Sequence, residues 1–297
     1  MKALLSARAA ARRATLLSAA VCLGACTTGA QLQAPSEAPA RAPAQAPAPL
    51  AQGTVAVYAA GSLRGALTDV AKAFELVYPA KVAMTYAASG LLKDRILAGE
   101  APQIFASANM EHPQAVVAAG KAVAVAAFAR NALCVLATPA FALQGKPLAQ
   151  RLLDADVRLA TSTPKADPAG DYAFTMFDRI EGTGAAGAGS AAALKAKALQ
   201  LTGGPNSAPP PPGRNVYGVL VAANQADAFV TYCTNAAQAR REVPTLQVLA
   251  VPDGINVSAV YGMAAMTGAN ADGRAWAQFV LGPQGQAILA THGFSAP

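Results

Sequence analysis

An α/β fold is predicted by three features of the sequence. Short apolar segments alternate with segments of helical periodicity from Thr54 onward, and turns of small residues join the first of them. The chain of 297 residues is long enough for one large or two medium domains. This alternation is typical of mainly parallel sheets that are covered by helices.

The stretch 54–67, TVAVYAAGSLRGAL, sets the pattern. It predicts a buried strand, a turn of small residues and a helix that begins at Ser62. Ser is a favoured N-cap residue, and the first amides of a helix lack intrahelical partners. Such a turn is able to hold an anion. The alternative is that Ser62 only caps its own helix.

The remaining elements follow in order. Apolar runs predict strands at 82–86, 104–106, 131–138, 157–162, 228–233, 246–250 and 261–266. Helical spacing predicts helices over 62–77, 91–97, 110–119, 190–201, 215–224, 274–281 and 283–292, and another through Phe174 and Phe177. Gly99, Gly120 and Pro139 end the elements before them. The Gly/Ala-rich segment 182–189 and the Pro-rich segment 203–213 predict loops.

Residues 1–25 are typical of an export signal, with a basic part followed by an apolar run that is too short to span a membrane. Leu23-Gly24-Ala25-Cys26 resembles the lipobox of bacterial lipoproteins, which implies a lipid on Cys26. The alternative is ordinary secretion with an incidental cysteine. The pair Arg12-Arg13 is a weak sign of twin-arginine export.

Residues 26–52 are rich in Pro and Ala and predict an extended spacer behind that lipid. We therefore expect a periplasmic body that is tethered to a membrane. Four of the 23 basic residues lie in the first 25 positions, which leaves 19 against 16 acidic residues. The body carries no basic stripe, so a nucleic-acid partner is not expected.

Cys134 and Cys233 are the two cysteines of the body. Outside the cytoplasm they are able to pair. Two buried free thiols are the alternative, because sequence does not supply the geometry of a bridge. No clustered His/Cys spacing indicates a metal, and no cofactor is expected.

Seven segments of the body form an ordered set: VYAAGSLRGAL at 57–67, YAASGLLKDRILAG at 86–99, IFASAN at 104–109, DPAGDYA at 167–173, NVYG at 215–218, FVTY at 229–232 and LGPQGQAILATHGF at 281–294. Together they resemble the substrate-binding proteins of molybdate ABC transporters. The resemblance implies a two-lobed periplasmic-binding-protein fold in which the chain crosses twice. Lobe 1 takes 53–130 and 257–297, and lobe 2 takes 131–256.

The resemblance also implies the function and the site. A tetrahedral oxyanion, molybdate or tungstate, would bind between the lobes and pass to an ABC permease with its ATPase. Ser62 and Ser89 would offer hydroxyls and amides, Ala169 and Val216 would offer amides, and Tyr232 would offer its phenol. We expect a monomer without enzymatic activity.

Several features depart from the family pattern. Gln103 stands where the family usually has an acid, Asp171 follows the anion-binding turn, Tyr217 adds bulk, and the segment 181–213 is long. We expect Asp171 to face outward or to cap its helix. These departures leave the ligand open.

The alternatives for the function are another anion such as sulfate or phosphate, a small solute, and a sensing role. A structural module is a further alternative. A hydrolase is disfavoured, because the chain has no G-x-S-x-G motif and neither His112 nor His292 lies beside a nucleophile in sequence.

Overall fold

Two five-stranded sheets carry the fold in the computed structural model, which describes residues 53–209 and 211–297. The predicted export signal, the lipid site at Cys26 and the spacer lie outside these residues. The first sheet has the order β2-β1-β3-β10-β4. Its strands are β1 (Thr54–Ala60), β2 (Lys81–Ala87), β3 (Ile104–Ser107), β4 (Ala122–Asn131) and β10 (Ala259–Met266).

The second sheet has the order β7-β6-β8-β5-β9. Its strands are β5 (Leu133–Ala137), β6 (Leu159–Ser162), β7 (Leu199–Thr202), β8 (Ala228–Tyr232) and β9 (Gln247–Ala250). In each sheet one strand runs against the other four, and these are β10 and β5. Each is the first strand after the chain crosses between the sheets. A strand that enters from the gap between the sheets runs away from it, whereas the parallel strands run toward it.

Helices cover both sheets, and their apolar faces form the core. Those around the first sheet are α1 (Arg64–Val77), α2 (Ser89–Leu97), α3 (Glu111–Ala118), α9 (Ala271–Leu281) and α10 (Pro283–Thr291). Those around the second are α4 (Leu148–Arg151), α5 (Pro168–Gly182), α6 (Ser190–Lys197), α7 (Val216–Ala222) and α8 (Cys233–Glu242). None of the helices in the described ranges combines the length and the apolar character needed to cross a bilayer.

The two chain crossings are fastened to each other by Asn256. Its side-chain oxygen accepts the Leu133 N–H at 3.0 Å, and its side-chain nitrogen donates to the Leu133 carbonyl at 3.0 Å. Arg179 donates to the Asn256 carbonyl from α5. Because one side chain ties both crossings, they are expected to bend as a unit.

A disulfide joins Cys134 on β5 to Cys233 at the start of α8. The sequence left this pairing open against two free thiols. The bond closes a sequence separation of 99 residues, and it lies beside Tyr232, the last residue of β8.

Several elements differ from the sequence predictions, among them the short helix α4, which was not predicted. The helix predicted over 190–201 ends at Lys197, and Leu199–Thr202 forms β7 instead, because it pairs in parallel with β6. The strand β4 was not predicted, and its alanine-rich sequence is held by antiparallel pairing with β10. The helix α8 was not predicted either. It is polar, and it carries Arg240 and Arg241 in its last turn, where the helix dipole favours cations.

Candidate functional site

A cavity of about 290 Å³ lies between the two sheets, at the carboxyl ends of their parallel strands. Binding sites in α/β proteins commonly form at this edge of a sheet. The first lobe lines the cavity with residues 60–62, Arg64, residues 86–89 and Leu91. The second lobe contributes Asp167, residues 202–204, residues 207–209, residues 214–217, Tyr232, Asn235 and Gln238.

Ser62 lies in the turn between β1 and α1 and lines the cavity. The turn is a short 3-10 helix, Gly61–Leu63, and it has no side-chain N-cap bond. The Ser62 hydroxyl lies 3.0 Å from the Tyr261 hydroxyl instead. Ser62 is therefore held by a tyrosine of β10, and the capping alternative does not describe its contacts.

Ser89 is the first residue of α2, is 1% exposed and also lines the cavity. Its Oγ accepts the Ala108 N–H at 3.1 Å. A hydroxyl has one donor and two acceptor positions. Because the bond from Ala108 uses one acceptor position, the Ser89 proton is left to donate into the cavity.

Tyr232 reaches the cavity from the end of β8 and is 1% exposed. Its hydroxyl donates to the Ala108 carbonyl at 3.4 Å, so Ala108 of the first lobe contacts both Ser89 and Tyr232. Burial raises the pKa of the Tyr232 hydroxyl well above its usual range. Tyr232 therefore remains a neutral hydroxyl at physiological pH.

The two residues expected to offer amides lie in different settings. Ala169 is fully buried in α5, its N–H donates to Asp167 Oδ1 at 3.0 Å, and it is absent from the cavity wall as far as the chain is described. Val216 lines the cavity at the start of α7. The side chain of Asn215 caps that helix by accepting the Gly218 N–H at 3.1 Å. The structure thus brings Ser62, Ser89, Val216 and Tyr232 together and places Ala169 behind Asp167.

Asp167 is a cavity residue that the sequence analysis did not select. It is the N-cap of α5 and is followed by Pro168 at the first helical position. An Asp-Pro pair before a helix is a readable capping signal. The position of Asp167 on the cavity wall depends on the fold, and no sequence pattern predicts it. Burial raises the pKa of the Asp167 carboxyl to about 6, although hydrogen bonds from the Ala169 N–H and the Ser162 hydroxyl oppose the shift.

Two arginines also line the cavity and were not selected from the sequence. The Arg64 guanidinium lies 4.5 Å from the centre of the Tyr86 ring and has no carboxylate partner among the described residues. Arg214 lies on the other lobe, with its Nε 3.3 Å from a Glu242 oxygen. A guanidinium offers several donors in a plane that matches oxyanions. The cavity therefore combines hydroxyl donors with one cationic side chain from each lobe.

The long segment 181–213 supplies residues 202–204 and 207–209 of the cavity wall. The three single-residue departures from the family pattern lie in different places. Gln103 precedes β3 at its amino end, donates to the Thr54 carbonyl at 3.0 Å and is not on the cavity wall. Asp171 accepts the Lys165 N–H at 2.8 Å and is likewise off the wall. Tyr217 lines the cavity, with its hydroxyl 3.2 Å from Ser162 Oγ. Of the three, only Tyr217 shapes the site.

Neither His112 nor His292 lies on the cavity wall. His292 Nε2 lies 2.9 Å from Asp69 Oδ2, which joins the end of α10 to α1, and Asp69 is 47% exposed. The ring of His112 is partly buried, and this burial lowers its pKa. In the described part of the chain, neither histidine bonds a hydroxyl or a thiol, and no group of three potential metal ligands occurs. The His292–Asp69 pair therefore acts as a contact between two helices.

We expect Asp167→Asn to stabilise the fold at pH 7 but not at pH 4. The pKa of Asp167 is raised from 3.8 to about 6, so the folded state disfavours the charged carboxylate. The buried charge lowers the free energy of unfolding. This destabilisation is absent below pH 4, grows as the pH rises toward 6 and reaches its full size above pH 6. Asn caps a helix as well as Asp does. Two pH units correspond to about 3 kcal/mol, the upper limit of the gain.

Urea unfolding of both proteins at pH 4, 5, 6 and 7 measures this gain. Asp253→Asn, at an exposed residue off the cavity wall, is the matched control and is expected to show no such trend. A gain that is equal at pH 4 and pH 7 would contradict the assignment of the buried charge.

Most of the described chain is similar to known proteins. Residues 55–295 match the family described as bacterial extracellular solute-binding protein. An uncharacterized protein of Pasteurella multocida is 37% identical over 212 residues, which cover 71% of this chain and 86% of that protein.

Two solved structures show the same architecture. The sulfate-binding protein of Mycobacterium tuberculosis has a TM-score of 0.65 at 16% identity and covers 82% of this chain and 86% of its own. The periplasmic molybdate-binding protein of Azotobacter vinelandii has a TM-score of 0.61 at 20% identity, and the match covers 82% of this chain and 99% of that protein. These likenesses confirm the two-lobed periplasmic-binding-protein fold predicted from the sequence. Since the family match spans both lobes, the chain belongs to the bacterial extracellular solute-binding proteins.

Proposed function

We propose that this protein captures an oxyanion between its lobes and delivers it to an ABC permease powered by an ATPase. The observation that carries the proposal is the convergence of donors from both lobes on one cavity. Ser62, Ser89 and Arg64 come from the first lobe, and Arg214 comes from the second. Tyr232 lies on the same wall, but its one proton is donated to the Ala108 carbonyl. Oxyanions accept hydrogen bonds at every oxygen, so such a wall satisfies them.

The ligand of this proposal is a tetrahedral ion in the first instance. Molybdate and tungstate come from the sequence resemblance, and the structural neighbours include a molybdate-binding and a sulfate-binding protein. Sulfate and phosphate are therefore the alternatives to test beside them. A ligand that contacts both lobes stabilises the closed state and shifts the population toward it. The closed state would then dock on the permease, or on a sensing partner.

The family is one of extracellular solute-binding proteins rather than of enzymes, which implies a periplasmic location. Within that location we propose a lipid anchor on Cys26, with residues 27–52 as the tether. The proposal rests on the lipobox-like sequence before Cys26. One lipidated cysteine would keep the body close to its permease, and the body itself is proposed to act as a monomer.

We expect the double substitution Ser62→Ala with Ser89→Ala to weaken oxyanion binding by about two decades or more. A hydrogen bond to a charged group contributes about 1.5–3 kcal/mol, and two donors are lost. Calorimetric titration with molybdate, tungstate, sulfate and phosphate in separate runs measures the change.

The matched control is Ser258→Ala with Ser295→Ala, because both serines are exposed and lie off the cavity wall. The control is expected to bind like the wild-type protein. An unchanged affinity in the Ser62/Ser89 variant would remove these serines from the site.

A further inference from the structure

The cavity is larger than a bare tetrahedral ion requires. Its volume of about 290 Å³ lies just below the range of about 300–1,000 Å³ that small-molecule pockets occupy. Molybdate, sulfate and phosphate each have only five heavy atoms. An ion held by Ser62, Ser89 and Arg64 therefore leaves space elsewhere in the cavity.

Part of the cavity wall is chemically unsuited to a bare ion. Leu91 from the first lobe and Ala208 and Pro209 from the second lie on the cavity wall, and their side chains consist of carbon alone. Carbon surface offers no hydrogen bond to an oxyanion, and it gains free energy when it covers other carbon atoms. This wall fits a ligand with a carbon body.

Asp167 adds an acceptor to the same cavity. One of its oxygens accepts the Ala169 N–H at 3.0 Å, and the Ser162 hydroxyl also bonds to the carboxylate. A carboxylate has about four lone-pair positions, so it retains capacity for a donor from a ligand. A fully deprotonated dianion such as molybdate or sulfate has no proton to offer and is repelled by this charge, whereas a hydroxyl group of a ligand pairs with it.

We propose that the ligand is a phosphate monoester with a hydroxyl-bearing carbon body, and this rests on the proposed function of oxyanion capture. The phosphate head is held by Ser62, Ser89 and Arg64, as a tetrahedral ion would be. The fourth oxygen of the phosphate is the ester oxygen, and it carries the carbon body of the ligand. A hydroxyl of the body donates to Asp167, and its carbon atoms lie against Leu91 and Pro209.

Glycerol 3-phosphate is the simplest probe with all three features. The full chain is titrated in a calorimeter with glycerol 3-phosphate, inorganic phosphate, sulfate and molybdate in separate runs. We expect glycerol 3-phosphate to bind about tenfold or more tightly than molybdate or sulfate, because only its hydroxyl donates to Asp167. We also expect it to bind more tightly than inorganic phosphate, because its carbon atoms cover the apolar wall.

Two variants test the parts of the proposal separately. Asp167→Asn keeps the helix cap but replaces the charged acceptor with a neutral amide, so the preference for glycerol 3-phosphate over molybdate should fall about tenfold. Ala208→Leu adds bulk at an exposed position of the carbon-lined wall. It should weaken glycerol 3-phosphate binding by about tenfold or more, while inorganic ions change by less.

The outcomes separate this proposal from the function on which it rests. If an inorganic ion binds as tightly as glycerol 3-phosphate or more tightly, the ligand class is overturned and oxyanion capture stands. If no anion binds, both are overturned. An unchanged preference in Asp167→Asn would overturn the role of Asp167 as the acceptor of the ligand hydroxyl.

Discussion

Gly90→Ala is expected to weaken ligand binding about a hundredfold without destabilising the fold. Gly90 is the second residue of α2 in the first lobe, and its N–H donates to the Ala166 carbonyl of the second lobe at 2.9 Å. A Cβ at position 90 would lie 2.5 Å from the Lys165 carbonyl oxygen and 2.7 Å from that of Ala166. Both atoms are backbone, so the lobes must move apart to admit it.

The cost falls on closure because the clash joins two lobes and leaves each lobe intact. Alanine stabilises a helix by about 1 kcal/mol relative to glycine, so α2 itself does not suffer. A ligand that needs the closed state loses apparent affinity in proportion to the population of that state. A closure cost of about 2.7 kcal/mol corresponds to the hundredfold loss.

Titration with the anion that the wild-type protein binds best measures this loss, and urea unfolding checks the fold. Gly182→Ala is the matched control, because Gly182 lies in α5 and nothing lies within 4 Å of an added Cβ there. Small-angle X-ray scattering with saturating ligand should show compaction in the control and a more open Gly90→Ala protein. Wild-type affinity in Gly90→Ala would mean that the loop at Lys165 yields instead.

The predictable part of this fold is the part in which local sequence and tertiary structure agree. The run from Thr54 forms β1 and the turn before α1 because its apolar residues, small residues and helical spacing all favour the same elements. Where they disagree, pairing decides. Leu199–Thr202 continues an Ala/Leu/Lys pattern that favours a helix, but an open edge beside β6 is available and the segment forms a strand.

The site was predictable to the same extent. Ser62 and Ser89 follow strands and Tyr232 ends one, and the carboxyl ends of these strands meet at the cavity. The strand-turn-helix pattern indicated Ser62, whereas the family resemblance supplied Ser89 and Tyr232. Asp167 and Arg214 were not predictable as cavity residues, because each precedes a helix of the second lobe. Their side chains reach the cavity only through the packing of α5 and α7 on the second sheet. Whether a residue at such a position lines the cavity depends on tertiary structure alone.

Removal of the Cys134–Cys233 disulfide is expected to lower the free energy of unfolding by about 2–5 kcal/mol. The bond links residues 99 apart, and in the chain-entropy account a loop of about 100 residues corresponds to roughly 4.7 kcal/mol. The native state should persist without the bond, because β5 and β8 remain paired from Leu133↔Tyr232 to Ala137↔Ala228. Without the bond the unfolded chain gains conformational entropy, so the free energy of unfolding falls.

The double substitution Cys134→Ala with Cys233→Ala removes the bond, and urea unfolding with and without reductant measures its effect. Reductant should shift the wild-type midpoint down toward that of the variant and leave the variant unchanged. The variant controls for reduction at any other cysteine of the chain. Because Cys233 follows Tyr232, anion affinity is expected to change little while the fold holds and to be lost with the fold at a lower urea concentration. A wild-type midpoint that reductant does not move would contradict the bond as a constraint on the unfolded chain.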